Sequence, residues 1–504
     1  MRYYFIICII LLGGNVVFAQ NADTVSVNPI QLDSVDLVNS VSENECLVTL
    51  QKRPWLAAGE IFTLNMGVWS FDRLIKKDKY AHINWQSIKK NFRTGFLWDN
   101  DSFSTNLFTH PYHGNLYFNI ARSNGFNFWQ SVPYTVGGSL MWELAMESAP
   151  PSINDLISTS LGGICLGEMT WRISDLFIDQ SVRGMERVAR ETAVFIFSPM
   201  RGLNRLLSGD TQKYSSCASQ TIAKPDLIFT TALNYRYLAD NAYPKDGTSG
   251  MEVNVDLVYG NPMEDFDGKP YSFFTLDAKL NFISNQPVLG GINVKALLWG
   301  THWRPNPQGG VLFGVFQHFN YQESNPINER QKIFVPYEIS EVASFGGGMI
   351  YSLPVSDRLF FFGDVYLNGV LLGGNHTDHY QARNRDYNLG SGYCFKIFPG
   401  ISWQDVGSLR LGIDRIHLYT WKGYDENLKI FQLPEEKIMY LDAQGDKGNT
   451  YLTTITAQMI IQIYKNLELN LSQAYYLRHS HYAYFPDVRY QAIETKAGLL
   501  YRFR

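Results

Sequence analysis

The chain reads as an α+β protein: an N-terminal all-α helical domain followed by a C-terminal antiparallel transmembrane β-barrel of about 12 strands. Three observations predict this class. Apolar residues recur at helical spacing up to residue 209 and at a spacing of two beyond residue 224. The first residues form a secretory signal. The last strand puts Ile493, Ala497, Leu499, Tyr501 and Phe503 on one face, with an aromatic next to the final residue. That ending resembles the C-terminal assembly signal of Gram-negative outer-membrane proteins, although Arg504 follows the aromatic.

Composition sets the frame. Aromatics make up 14% of the residues and charged side chains 18%, against about a quarter charged in soluble domains. A formal charge of −4 excludes a strong electrostatic footprint for nucleic acid. Arg2, the apolar run Tyr4 to Leu12 and Val17-Phe18-Ala19 make a cleavable signal peptide. Residues 20–52 are polar and aperiodic, which predicts a disordered periplasmic arm. After cleavage Cys46, Cys165, Cys217 and Cys394 remain. Their wide spacing gives neither a redox pair nor a zinc framework, and their pairing stays open.

The helical domain is expected over residues 53–209, a linker over 210–224 and the barrel over 225–504. Pro54-Trp55 opens a first helix that the basic run Lys76, Lys77 and Lys79 ends. A short second segment runs from Trp85 to Phe96. His110-Pro111 predicts an entry turn, Asn115 to Arg122 a helix closed by Ser123-Asn124-Gly125, and Val132 to Met146 another. Pro150-Pro151 interrupts the chain, and Ser152-x-x-Asp155 starts the next helix. That helix runs through Gly163-x-x-x-Gly167, where a partner helix can approach closely. Ser131 to Trp142 gives only twelve uncharged residues before Glu143. About 18–20 are needed to span a bilayer, so these helices are placed outside the hydrocarbon.

Beyond residue 224, Met251, Val253, Val255, Leu257 and Tyr259 alternate with Glu252, Asn254 and Asp256. Phe274 to Phe282 and Leu467 to Ser472 repeat the pattern. In a membrane barrel the charged face lines the lumen. Long polar loops such as 320–334 and 424–448 fit extracellular connections.

Within residues 55–210, the blocks HPYHG, YFNIARSNG, FWQSVPY, GSLMWE, PPSINDLI, GGICLGEM and SPMRGLNRLLSG occur in order. They resemble a bacterial family known as domain of unknown function 3943. The resemblance implies an envelope protein with a helical part and a barrel, and brings no catalytic residues.

Candidate chemistry rests on side chains. Glu143 and Glu147 share a helix face with Thr135 and Ser139. With His110 and His113 they form the candidate acid–base set, or a metal set, since imidazole with carboxylate suits zinc or iron. Without H-E-x-x-H spacing the competing reading is a satisfied contact between helices, and no metal is assigned. Arg122, Arg201 and Arg205 are candidates for lipid phosphate, against a role in pairing carboxylates. No phosphate loop or nucleophile elbow occurs, and no cofactor is expected. The expected partners are outer-membrane lipid and the barrel-assembly machinery. Two functions follow: a non-enzymatic outer-membrane barrel serving envelope structure or solute passage, with its helices packed at the periplasmic mouth, or a lipid- or glycan-modifying enzyme built on His110, His113, Glu143 and Glu147.

Overall fold

A computed structural model describes residues 51–214 and 225–503, apart from 243, 307–308, 328–334, 381–384, 430–431 and 439. The signal peptide, Cys46, Cys217, and most of the N-terminal arm and the linker lie outside the described residues. The chain divides into two compact units. One joins residues 52–173 to the barrel, and the other contains residues 174–223.

The helices follow their sequence signals with some shifts. Helix α1 spans Pro54–Phe71, with Pro54 in its first turn. A π-turn over Asp72–Lys76 closes it on Lys77, which takes φ 59°. Helix α2, Trp85–Thr94, is capped by the Asn84 side chain. Helix α3 spans His110–Ser123. The expected entry turn at His110-Pro111 is absent: a π-turn over Thr105–Thr109 runs straight into α3 and holds His110 helical. Pro111 is the second residue of α3, directly after the π-turn.

Helix α4, Phe128–Met141, starts four residues earlier than its apolar run suggests. Asn127 and Gln130 form a reciprocal capping box there, a signal the periodicity does not carry. It ends in a π-turn, Trp142–Met146. Helix α5, Ile153–Ile157, is capped by Ser152 as expected, and a π-turn over Ser158–Gly162 leads into α6, Gly163–Asp175. The small-residue face works as predicted. A Cβ on Gly163 would lie 2.5 Å from the Gly114 Cα, so α6 and α3 touch backbone to backbone. Trp142 is buried, whereas Trp129 is 60% exposed. In the separate unit, α7 (Gly184–Phe197) and α8 (Pro199–Leu207) are held by Arg205, which grips Glu191 through two nitrogens at 2.9 and 2.7 Å.

The twelve strands are β1 Leu227–Asp240, β2 Thr248–Tyr259, β3 Phe274–Phe282, β4 Leu289–Asn306, β5 Gly309–Glu323, β6 Glu338–Ser356, β7 Leu359–His376, β8 Tyr387–Trp403, β9 Gly407–Thr420, β10 Gly448–Tyr464, β11 Leu467–Tyr482 and β12 Val488–Phe503. Each pairs antiparallel with its neighbour, and β12 closes onto β1. A short helix α9, Glu435–Ile438, lies in the loop before β10.

Alternation assigns the faces. On β1, Leu233 and Tyr235 are 52% and 54% exposed, while Asn234 and Arg236 between them are 1% and 0%. The apolar face points out and the polar face points in, as a membrane barrel requires. The lumen is closed by its own side chains. Leu238 of β1 belongs to one buried cluster with Ile339, Val370, Cys394, Leu418, Leu452, Tyr476 and Ala492 of β6 to β12. Beside this cluster, Arg236 pairs with Glu494 at 2.6 Å, Lys496 with Glu252 at 2.6 Å and Lys396 with Glu341 at 2.7 Å, all buried.

Residues 52–173 pack on the outside of this wall. Val294, Ala296, Phe319, Tyr321 and Leu389 occupy outward positions in the strand register, yet none is more than 1% exposed. Gln317 donates to the carbonyl of Leu161 at 3.0 Å. Phe103 sets its ring 5.3 Å from both Tyr321 and Tyr387. Leu107 seats against Gly374, where an added Cβ would come within 2.4 Å of it.

The helices touch both ends of the wall. At the end from which β1 starts, Arg172 donates to the Pro270 carbonyl at 2.6 Å and lies over the ring of Tyr259, the register partner of Leu227. At the opposite, long-loop end, Asn100 donates to the Ile438 carbonyl at 2.8 Å, and Trp98 to Asp442 at 3.2 Å. Arg385, 1% exposed, reaches the Asp99 carbonyl, Asn100 and Ala443.

Candidate functional site

The backbone brings the candidate residues together through one short parallel bridge. Leu97 donates to the Pro151 carbonyl and accepts from Ile153, each at 2.8 Å. This ties the loop carrying Asp99 and Asp101 to the start of α5, which carries Asp155. Asn154 then donates to both carboxylates, at 2.7 Å to Asp99 and 2.9 Å to Asp155. Asn106 adds a second donor to Asp99 at 2.7 Å.

His110 faces this pair from α3, its Nε2 3.5 Å from Asp155. On the π-turn after α4, Glu143 accepts from the backbone N–H of Ser152 at 2.8 Å and shares a hydrogen bond with Glu147. Glu143 is 1% exposed, and Asp155 4%. Asp101 lies exposed at the outer edge.

Electrostatics follow from this crowding. Burial pushes the Glu143 carboxyl up to about 8. Burial first, and the Glu143 charge second, hold Glu147 well above the carboxylate range. Asp155 is raised by burial and by Asp99. Burial pushes His113 down to about 3 and lowers His110. Near neutral pH the cluster therefore sets neutral imidazoles near a protonated Glu143 carboxyl. Neutral imidazole can accept a proton and a carboxyl can donate one, which is the complement that acid–base chemistry uses.

The structure thus gathers His110, His113, Glu143 and Glu147 in one region, as the sequence proposed, although they do not form one hydrogen-bonded set. His113 packs between the Tyr117 and Trp142 rings, and its Nε2 has no hydrogen-bond partner. Asp99, Asp101 and Asp155 complete the cluster and were not singled out as site residues. Asp99-Asn100-Asp101 interrupts an aromatic-rich stretch, which was the available signal.

The arginines have protein partners. Arg122 pairs with Glu168 at 3.0 Å and lies over the Trp171 ring. Arg201 reaches Ser174 at 2.9 Å and Asp175 at 2.5 Å. Arg205 is held by Glu191. Each guanidinium meets a carboxylate within the fold, which is the pairing role weighed against lipid phosphate.

Comparison adds a family and a distant fold likeness. Residues 95–200 match the model of a family described as domain of unknown function (DUF3943). No curated protein matches the sequence. Among solved structures, the NanC porin aligns at 7% identity and TM-score 0.25, covering 53% of this chain and 98% of its own. The KdgM porin in complex with disordered oligogalacturonate aligns at 11% and 0.23, covering 54% and 99%. The COG4313 outer membrane channel from Pseudomonas putida F1 aligns at 10% and 0.26, covering 56% and 98%. Scores this low leave the strand topology and the apolar outer face as the grounds for reading a membrane barrel.

The raised Glu143 carboxyl makes stability depend on pH. Its folded value lies above its unfolded one, so the folded state holds the extra proton. The contribution is full below about pH 4.5 and is lost as pH rises through about 8. The hydrogen-exchange protection of residues 128–147, taken relative to the intrinsic rate at each pH, should be greater at pH 6 than at pH 9, and Glu143→Gln should flatten that difference. An equal slope in wild type and variant would show that Glu143 is ionised and solvated. The cluster lies in the segment that matches the DUF3943 family model, residues 95–200, ahead of the twelve-strand barrel.

Proposed function

We propose that the protein is an integral outer-membrane barrel with a non-enzymatic envelope role, in which the barrel anchors the DUF3943 domain at the membrane surface. The observation that carries this reading is the helical domain seated on the outward face of the wall. Strands β4, β6 and β7 contain 18, 19 and 18 residues, whereas about 9–11 tilted residues span a bilayer. The excess stands beyond the lipid, and the helices cover it at the long-loop end. Bacterial barrels keep short turns in the periplasm and long loops outside. This supports a helical domain on the outer side of the membrane, in place of the periplasmic side expected from sequence.

Solute passage in this reading requires the packed lumen to open. Two measurements test it. The wild-type protein in planar bilayers should show little steady conductance, and Tyr337→Ala with Tyr476→Ala should raise it. Labelling of intact cells at Lys89 of the helical domain and at Lys437 of the loop should succeed at both sites. A steadily conducting wild type, or labelling of the loop without the helices, would contradict the proposal.

A second reading, an enzyme acting on envelope lipid or glycan, is favoured by the protonated carboxyl–imidazole cluster. Its test is lipid mass spectrometry of cells with and without the protein. A mass change restored by wild type and not by Glu143→Gln supports the enzyme, and identical lipids reject it.

A further inference from the structure

A second group of titratable side chains lies at the long-loop rim, apart from the helical cluster. Glu338 opens β6, His376 closes β7 and Asp386 stands just before β8. One donor atom from each lies within 4.8 Å of the other two. Glu338 is 6% exposed and His376 2%.

The charges here do not balance. Asp386, Glu323 and Asp378 all add negative potential around the buried Glu338. Arg478, the cation facing this group, is already taken by Asp378 in a two-point pair at 2.7 and 2.8 Å. Burying carboxylates without a compensating charge is costly. The imidazole gives an independent sign. His376 Nδ1 meets Glu338 at 2.7 Å, but its buried Nε2 has no hydrogen-bond partner, and the nearest carboxylate oxygen, on Asp378, is 3.9 Å away. A bound cation would neutralise the carboxylates and fix the ring proton. A carboxylate beside the free ring nitrogen is the usual orienting partner of a metal-bound histidine.

We propose that Glu338, His376 and Asp386 form a divalent transition-metal site that ties the ends of β6 and β7 to the start of β8. One imidazole and two carboxylates suit zinc, and three protein ligands leave a position for water. This site is independent of the reading proposed for the helical domain.

The test uses the full chain, purified in detergent, stripped with chelator and dialysed against zinc. Metal analysis should find about one zinc per chain at this site. Glu338→Gln and His376→Ala should each lose that equivalent while keeping the heat-dependent gel shift of a folded barrel. His481→Ala should keep it, which separates the rim from the exposed His481 beside Asp487. Wild-type protein that takes up no stoichiometric zinc overturns the proposal without recourse to any variant. So does zinc retained in both rim variants, or lost in His481→Ala alone.

Discussion

Strands such as β4, β6 and β7 are longer than a bilayer is thick, and much of the structure answers that mismatch. A strand's outward face is apolar along its length, because the alternation that fits lipid does not stop where the lipid stops. Below the overshoot, Phe313, Val315, Leu367 and Phe395 stay open for acyl chains, at 44%, 43%, 63% and 39% exposure. Above it, Phe319, Tyr321 and Leu389 are buried, Tyr321 beneath the Phe103 and Phe108 rings. Leaving such a patch to water would cost about 25 cal/mol per Å² of apolar surface. The helices therefore serve as a lid on a wall that would otherwise aggregate.

The polar inner face meets a different constraint. With Tyr337, ahead of β6, set against the Tyr476 ring of β11 at 4.5 Å within the buried cluster, the charges nearby lose most of their water. Arg236, Lys396 and Lys496 each meet a carboxylate within 2.7 Å. Breaking one such pair would leave a buried charge, at a cost of about 3–5 kcal/mol. That penalty favours a single register, since slipping a strand by one residue would turn its own charged side chain outward and leave the partner buried alone. The crowded acids Glu143, Glu147 and Asp155 follow the opposite rule. They have few cations nearby and keep protons instead.

Fold class, strand number and most helices were legible because each rests on a local period or a cap. Pro111 misled because its steric preference is weak beside a helical turn already built from Thr105. Asn127 was missed because capping depends on a side-chain bond, not on periodicity. The pairing of Glu143 with Glu147 was visible at a spacing of four. Asp99 and Asp155 were not, because fifty-odd residues separate them and only the Leu97–Pro151 bridge joins their segments. The docking side was invisible for a related reason. Sequence shows which faces are apolar but not which apolar face meets lipid and which meets a helix.

The account rests most on the helices lying outside the wall, and neighbouring residues of β5 report that directly. Gln317 points out and His318 points in, with His318 set against the inward Tyr366 ring at 4.7 Å. A photo-crosslinking amino acid at each position, activated in living cells, should capture peptides around Leu161 from position 317 and only barrel peptides from position 318. Helical peptides recovered from 318 and lipid alone from 317 would contradict it.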